Sequence, residues 1–417
     1  MTFYTYTLGC KVNSYESSAV TSKLMKDGFI YTKDNPDVII INTCSVTHVA
    51  DQKSRQHIRK FKKLYPRSII VVMGCYAQGN AEYIQNECGA DIVIGTFHRS
   101  EIVNLIKEYL KEKKPLLNVD KDTRHYRYEE LGVASYSENI RAYLKIQDGC
   151  DNFCSYCIVP YRRGKARSRD FNVVLKEANE LVKKRYKEIV LTGIDVGMYG
   201  KDIGTSFSSL VEELVKIPDL FRLRISSIEA SQIDDKFIDL VAHNPKVAKH
   251  LHIPLQSGSD PILKRMCRKY TCEEFYNKLT KVKSMLPRVC FTTDLIVGFP
   301  GETEEDFLNS YNFIKKVGFN QIHVFPYSIR EGTAAALFKD QIDPRIKNSR
   351  VEKVLKLSDE LWEAYKKENN EEEVEVIIEK YDKKEKAYMG HSSNYLLIQI
   401  KNENLHVGSI IKTIYKY

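Results

Sequence analysis

The sequence predicts an α/β protein in three successive parts: an open parallel sheet, a partial (β/α) barrel and a small antiparallel β-barrel. Three observations carry this expectation. Strands apolar on both faces alternate with helical stretches up to about residue 124. A β–α pattern then repeats over six units, and after residue 370 short strands follow one another through polar turns. Fully apolar strands alternating with helices need a sheet covered on both faces, whereas helix-free short strands suit a small barrel.

In the first part, 1–124, residues 3–8 read as a strand and 15–27 as a helix with apolar positions at helical spacing. Strands follow at 37–43 (DVIIINT), 69–73 (IIVVM) and, shorter, 91–94. Cys10, Cys44 and Cys75 each fall just past the carboxyl end of one of the first three strands. Ligands bind at that rim in open α/β sheets, so topology alone brings three distant thiols together.

A polar stretch at 111–139 reads as a linker. The second part, 139–369, carries strands at 142–146, 188–191, 223–226, 250–255, 289–297 and 321–325. Helices such as 173–186 and 303–317 separate them. The segment Thr303-Glu-Glu-Asp306 has the form of a capped helix start. A long helix at 345–368 places Val351, Val354, Leu355, Leu361, Trp362 and Tyr365 on one stripe. In the third part, 370–417, strands are expected at 374–378, 387–391, 395–400 and 409–415.

With 417 residues the chain exceeds one ordinary core, at about 150 residues per domain. No apolar run approaches the roughly 18 residues that would span a bilayer. The start, MTFYTYTLGCKVN, lacks the basic flank and apolar core of a secretory signal, so the expectation is a cytoplasmic protein with no membrane partner. In a reducing compartment ten cysteines point to metal binding or catalysis rather than disulfides. A net charge of +9 weakly favours a polyanionic partner.

The strongest local signal is Gly149-Cys150-Asp-Asn-Phe-Cys154-Ser-Tyr-Cys157, directly after the first barrel strand. Thiolates suit iron–sulfur clusters or zinc, and three in one loop can hold three irons of a [4Fe–4S] cube with the fourth left open. A zinc knuckle lacking its fourth ligand, or merely neighbouring thiols, are the alternatives.

This loop resembles that of the radical S-adenosylmethionine (SAM) enzymes. Over essentially its whole length the chain resembles their methylthiotransferase branch, through TLGCKVNSYES, NTCSVT, GCYAQ, the loop with its tail IVPYRRGKARSR, and HIPLQSGSD. GFPGETEEDF and YSIREGT agree as well, although Ala334 stands where related sequences usually carry proline. TLGCKVN and LTGIDVG (191–197) resemble the group acting on threonylcarbamoyladenosine in tRNA more than the TFGCQMN-like isopentenyladenosine group. They also differ from the SLGCPKN-like group that modifies a ribosomal-protein aspartate.

The resemblance implies a radical SAM barrel, a TRAM-like C-terminal barrel that binds RNA, and two [4Fe–4S] clusters. Cys150, Cys154 and Cys157 would hold the cluster that binds SAM and cleaves it to a 5′-deoxyadenosyl radical. Cys10, Cys44 and Cys75 would hold the cluster carrying the sulfur that is methylated and transferred to C2 of the base. Gly193 and Asp195, Ser227 and Glu229, and Gln256 and Ser257, at the ends of successive barrel strands, would contact SAM. The implied partners are SAM, a tRNA anticodon stem-loop and an electron donor such as flavodoxin or ferredoxin.

The basic run Arg162, Arg163, Lys165, Arg167 and Arg169 adjoins the active rim, and phosphate attraction is at least as fitting there as a solvated face. After Asn370 eight acidic residues meet seven basic ones, so aromatic contacts such as Tyr388 and Tyr395 would have to aid RNA recognition. Asp294 reads as a satisfied interior acid and Cys290 as a small buried hydrophobe. A non-enzymatic RNA-binding iron–sulfur sensor is the reading from another class; a barrel with a polar rim disfavours it.

Overall fold

In the computed structural model, which describes residues 1–134, 140–401 and 404–417, the first part is a parallel sheet of six strands. They are β1 (Thr2–Thr7), β2 (Ile30–Tyr31), β3 (Val38–Thr43), β4 (Ile69–Gly74), β5 (Ile92–Ile94) and β6 (Leu116–Asn118), in the order β2-β1-β3-β4-β5-β6. β3 and β4 are buried at every residue, as their doubly apolar runs predict. Helices α1 (Lys11–Lys26), α2 (His48–Leu64), α3 (Cys75–Gly79), α4 (Ala81–Cys88) and α5 (Ile102–Glu112) cover the two faces. Thr47 caps α2 by accepting from Ala50 N at 3.1 Å.

The expected linker is only partly one. Its beginning completes α5 and adds β6, and residues beyond are tied down: Glu129 accepts from Arg99, Glu130 pairs with Arg169, and Leu131 and Ala134 pack with Tyr15. Its end at residue 139 lies outside the described residues.

Six parallel strands then curve into a partial barrel. These are β7 (Arg141–Lys145), then, past the short pair β8 (Gln147–Asp148) and β9 (Arg167–Ser168), β10 (Glu188–Thr192), β11 (Arg222–Ile225), β12 (His250–His252), β13 (Cys290–Val297) and β14 (Gln321–Pro326). Hydrogen-bonded pairing runs β7-β10-β11 and β12-β13-β14, and a Leu223–Val247 bridge joins the halves. Helices α6 (Val159–Arg163), α7 (Phe171–Lys183), α8 (Phe207–Leu214), α9 (Asp235–His243), α10 (Asp260–Arg265), α11 (Cys272–Met285), α12 (Glu304–Val317) and α13 (Pro344–Glu368) complete this part. Thr303 and Asp306 form the expected reciprocal cap of α12.

Along each barrel strand one set of residues (Ala142, Leu144, Ile189, Leu191, Leu223, Ile225) joins the core under the helices. The alternate set (Arg141, Glu188, Arg222, Arg224, His250, His252, Asp294) carries the polar groups of the lumen. On α13 the buried stripe runs through Val354, Leu357, Ser358 and Tyr365, whereas Leu355 is exposed. Residue 355 lies one helical step off the 354/357/358/361/365 face, which corrects the expected stripe.

The C-terminal strands β15 (Glu373–Asp382), β16 (Ala387–Ser392), β17 (Leu397–Ile400) and β18 (Ile410–Ile414) form an antiparallel sheet in the order β17-β16-β15-β18. It docks on the amino-terminal end of the barrel strands. Arg222 donates to the carbonyls of Glu375 and His391, Arg224 to that of Ser392, and Arg141 pairs with Glu379. Cys290 is buried in the shared apolar cluster, as expected.

The N-terminal sheet spans the other side of the barrel. α1 packs along β7, and the loop before α2 reaches the segment after β14, where Arg330 bonds Ser45 and Asp51. A buried ion network joins the two parts. Glu16 of α1 pairs with Arg99 (2.5 Å), Lys145 (2.8 Å) and Arg163 (2.8 Å), and Asp148 holds Lys145, Arg163 and Arg167.

Candidate functional site

The loop 149–164 is gathered at its neck by the β8–β9 pair and by Cys150 N donating to Gly164 O at 3.1 Å. Gly149 makes that neck possible. Its φ is +70°, and a Cβ there would sit 1.9 Å from Lys165 O. Gly149→Ala is expected to cost about 2–4 kcal/mol from the left-handed backbone plus the clash. The checks are a lower midpoint in chemical unfolding and a loss of iron retained by this loop; an unchanged midpoint would refute the close approach.

Cys150, Cys154 and Cys157 line a cavity of about 250 Å³ with Asn152, Asp195, Ser227, Glu229, Gln256, Arg268 and Asp294. Four of the six expected SAM contacts therefore meet beside the loop. Asp195 accepts from Asn152 (3.0 Å) and Gln232 (2.8 Å). Burial, then the neighbouring Glu229 carboxylate, push Asp195 up to about 6. Glu229 is held by Arg268 at 2.6 Å. Gln256 adopts φ +64° and is bonded through its backbone to Asp294 and Ile296, which fixes its place at the strand end.

The other two lie elsewhere. Gly193 does not line the cavity; a Cβ there would be 3.0 Å from Gln147 Oε1, which accepts from the amides of Ile194 and Asp195 and shapes the turn. Ser257 is fully buried, its hydroxyl 3.3 Å from Ser310 Oγ under α12. Both shape the rim without facing the cavity.

Cys10, Cys44 and Cys75 close on one another at the sheet edge. A Cβ on Gly9, whose φ is +100°, would strike the Cys44 side chain at 2.6 Å, so glycine is what lets the segment before Cys10 lie against Cys44. Burial, then the field of Cys75, push the Cys44 thiol up to about 12. Burial also raises Cys75, within reach of Cys10. Cys157 is pushed up to about 12 by burial and lies within electrostatic range of Cys75, so the two trios are neighbours.

The surroundings fit anionic iron–sulfur groups. Each trio could hold three irons of a cube and would leave the fourth without a protein ligand. Each also has an arginine N–H aimed at sulfur: Arg163 Nε lies 3.1 Å from Cys75 Sγ and Arg268 Nη1 3.2 Å from Cys154 Sγ. Such donors stabilise cluster thiolates and orient them.

Arg163, Arg167 and Arg169 are buried in ion pairs with Glu16, Asp148, Glu130 and Glu177, which overturns the phosphate reading of that run for these three; of the five cations only Lys165 is exposed. Tyr395 stacks on His250 at 4.3 Å and is therefore committed to the interface between barrel and C-terminal sheet. Arg268 has no local motif to mark it, and Asn152, although inside the cysteine loop, is singled out only by its contact with Asp195. Gln256 and Asp294 also line a second cavity of about 230 Å³ that reaches Val46, Thr47 and Arg330. His252 donates to Asp294 at 3.1 Å, with His323 at 3.5 Å. Burial opposes the Asp294 charge, yet these hydrogen bonds hold the carboxyl below its usual range.

A cysteine trio at the mouth of a partial (β/α) barrel, beside a polar cavity, defines a protein of the radical SAM class. Residues 144–314 match the family described as the radical SAM superfamily, and residues 2–95 one described as uncharacterized protein family UPF0004. A threonylcarbamoyladenosine tRNA methylthiotransferase MtaB of Bacillus subtilis is 46% identical over 98% of this chain and 92% of its own. Its Aquifex aeolicus namesake is 36% identical (89% and 91% covered). A tRNA-2-methylthio-N(6)-dimethylallyladenosine synthase of Thermoanaerobacter pseudethanolicus is 37% identical (92% and 83%). Among solved structures, the radical SAM methyltransferase TsrM of Kitasatospora setae superposes with TM-score 0.58 at 14% identity, covering 78% of this chain and 72% of that one, a likeness of fold. The chain belongs to the tRNA methylthiotransferase family of radical SAM enzymes. Its cofactors are SAM and two [4Fe–4S] clusters.

Proposed function

We propose that the protein methylthiolates C2 of N6-threonylcarbamoyladenosine beside the tRNA anticodon, with SAM as both methyl donor and radical source. The observation that carries this reading is the adjacency of the two cysteine trios, with Arg163 at the end of the cluster loop reaching Cys75, together with 46% identity to a relative named for that reaction. Cys150, Cys154 and Cys157 are assigned to the radical-generating cluster and Cys10, Cys44 and Cys75 to the sulfur-carrying one. When bound, the clusters supply the electron that cleaves SAM and the sulfur that is inserted.

The chain's own groups do the positioning. Asp195 and Glu229 face the amino group of SAM, with Asn152 and Arg268 fixing their carboxylates. Ser227 and Gln256 serve its ribose and carboxylate. RNA approaches over the rim, where Phe153 projects from the cluster loop with φ +47° and 51% exposure, a stacking surface for an unpaired base. α2 begins at the second cavity and presents Lys53, Arg59, Lys60 and Lys63 outward, which suits a phosphate backbone. In the C-terminal sheet, at the opposite end of the barrel, Tyr381 and Tyr388 pair edge-on at 5.0 Å, an aromatic surface separate from that rim. Among the described residues no helix is long and apolar enough to cross a membrane, and the reading places the enzyme in the cytoplasm with a flavodoxin- or ferredoxin-type reductant.

Nucleoside mass spectrometry of tRNA from a strain lacking the gene is the test. Loss of the methylthio-threonylcarbamoyl nucleoside is the expected outcome; loss of the methylthio-isopentenyl nucleoside instead would replace the substrate.

A further inference from the structure

One cation of the chamber is unaccounted for by cofactor binding. Lys11 opens α1 next to Cys10, yet its side chain lies within electrostatic range of Arg141 on β7, Arg224 on β11, His250 on β12 and Asp294 on β13. Lys11 is exposed at the start of its helix while these barrel residues lie around it, so it faces the lumen rather than bulk solvent. Among the described residues Lys11 forms no hydrogen bond or ion pair. The neighbouring cations do: Arg141 and Arg224 share Glu188, and Arg141 also holds Glu379. Asp294, the carboxylate whose field acts on Lys11, is already engaged by His252 and His323. Lys11 is thus a free positive charge in a lumen where the fixed carboxylates are spoken for.

We infer that Lys11 binds the free carboxylate of the amino-acid substituent on the substrate adenosine and selects for it. This rests on the substrate reading above and deepens it. The reacting carbon must come beside the sulfur carried at Cys10, Cys44 and Cys75. C6, which bears N6, is separated from C2 in the purine only by the ring nitrogen N1, so a substituent on N6 enters the same lumen. Lys11 is adjacent in sequence to Cys10, and its flexible four-carbon stem lets the ammonium follow a carboxylate there. A compact ammonium meeting a carboxylate in a partly desolvated lumen makes a charge-assisted hydrogen bond, whereas a neutral substituent would leave the cation uncompensated. The same group therefore attracts one class of modified base and rejects another.

The test is binding, which does not depend on turnover. Two anticodon stem-loops, one with threonylcarbamoyladenosine and one with its carboxamide analogue, compete for iron-loaded protein in an anisotropy assay. The unaltered protein should favour the acid by roughly tenfold or more. Lys11→Gln should reduce the preference to less than about twofold, and Lys11→Arg should restore most of it. Because both ligands meet the same preparation, partial cluster loading cancels from the ratio. A preference that survives Lys11→Gln overturns the inference, as does a variant that loses both stem-loops equally. If the unaltered protein binds and modifies only an isopentenyladenosine stem-loop, it is the substrate reading that falls.

Discussion

Cys154→Ala is expected to bring 5′-deoxyadenosine formation down to background and to lower iron from about eight to about four per chain after anaerobic reconstitution. On the proposed assignment the loop would give three irons of its cluster their protein ligands, and Arg268 already commits a hydrogen bond to the Cys154 sulfur. Cys44→Ala should lose a similar amount of iron but keep measurable SAM cleavage, while methylthio transfer stops. The contrast follows from geometry: Cys44 lies in the N-terminal sheet, against Gly9 and within reach of Cys75, and is not among the residues lining the SAM cavity. Chromatography of cleavage products together with mass spectrometry of tRNA separates the outcomes. Methylthiolated product from both variants, or a saturating iron content near four in the unaltered protein, would end the two-cluster assignment.

Glu16→Ala should be the most damaging substitution away from sulfur. Glu16 is fully buried and compensates Arg99, Lys145 and Arg163 together. Removing one partner of a buried ion group leaves charge uncompensated, at a cost of about 3–5 kcal/mol. Burial opposes the Glu16 charge, but Arg163, Arg99 and Lys145 outweigh it and hold the carboxyl well below its usual range. The folded value thus lies under the unfolded one. Its contribution is complete above about pH 4.5 and is lost as the pH falls toward the folded value. Urea midpoints should therefore decline on acidification in the unaltered protein, and less steeply in Glu16→Ala. Parallel pH profiles for the two proteins would contradict the role given to this carboxylate.

The sequence made the architecture readable because the features that define it are local. The doubly apolar runs in β3 and β4, the reciprocal cap at Thr303 and the six barrel strands all follow from short-range pattern. The Cys10, Cys44 and Cys75 convergence was legible too, since strand order places them at one rim. What escaped depends on distant partners. Arg163 and Arg169 read as a surface run because nothing nearby in sequence announces Glu16 or Glu177. Ser257 shares a strand end with Gln256, but only the packing of α12 shows that its hydroxyl turns to Ser310. β6 was too short to stand out from a charged stretch.

The docking of the C-terminal sheet on the barrel floor has a consequence for traffic. With Arg222 and Arg224 bonded to its carbonyls and His250 stacked on Tyr395, the far end is stoppered and the chamber becomes a cul-de-sac. If small and large ligands both enter at the opposite rim, as the proposed function has it, a seated nucleic acid covers the way in for SAM. On that reading SAM is expected to go in ahead of the RNA, and its spent fragments to leave after it.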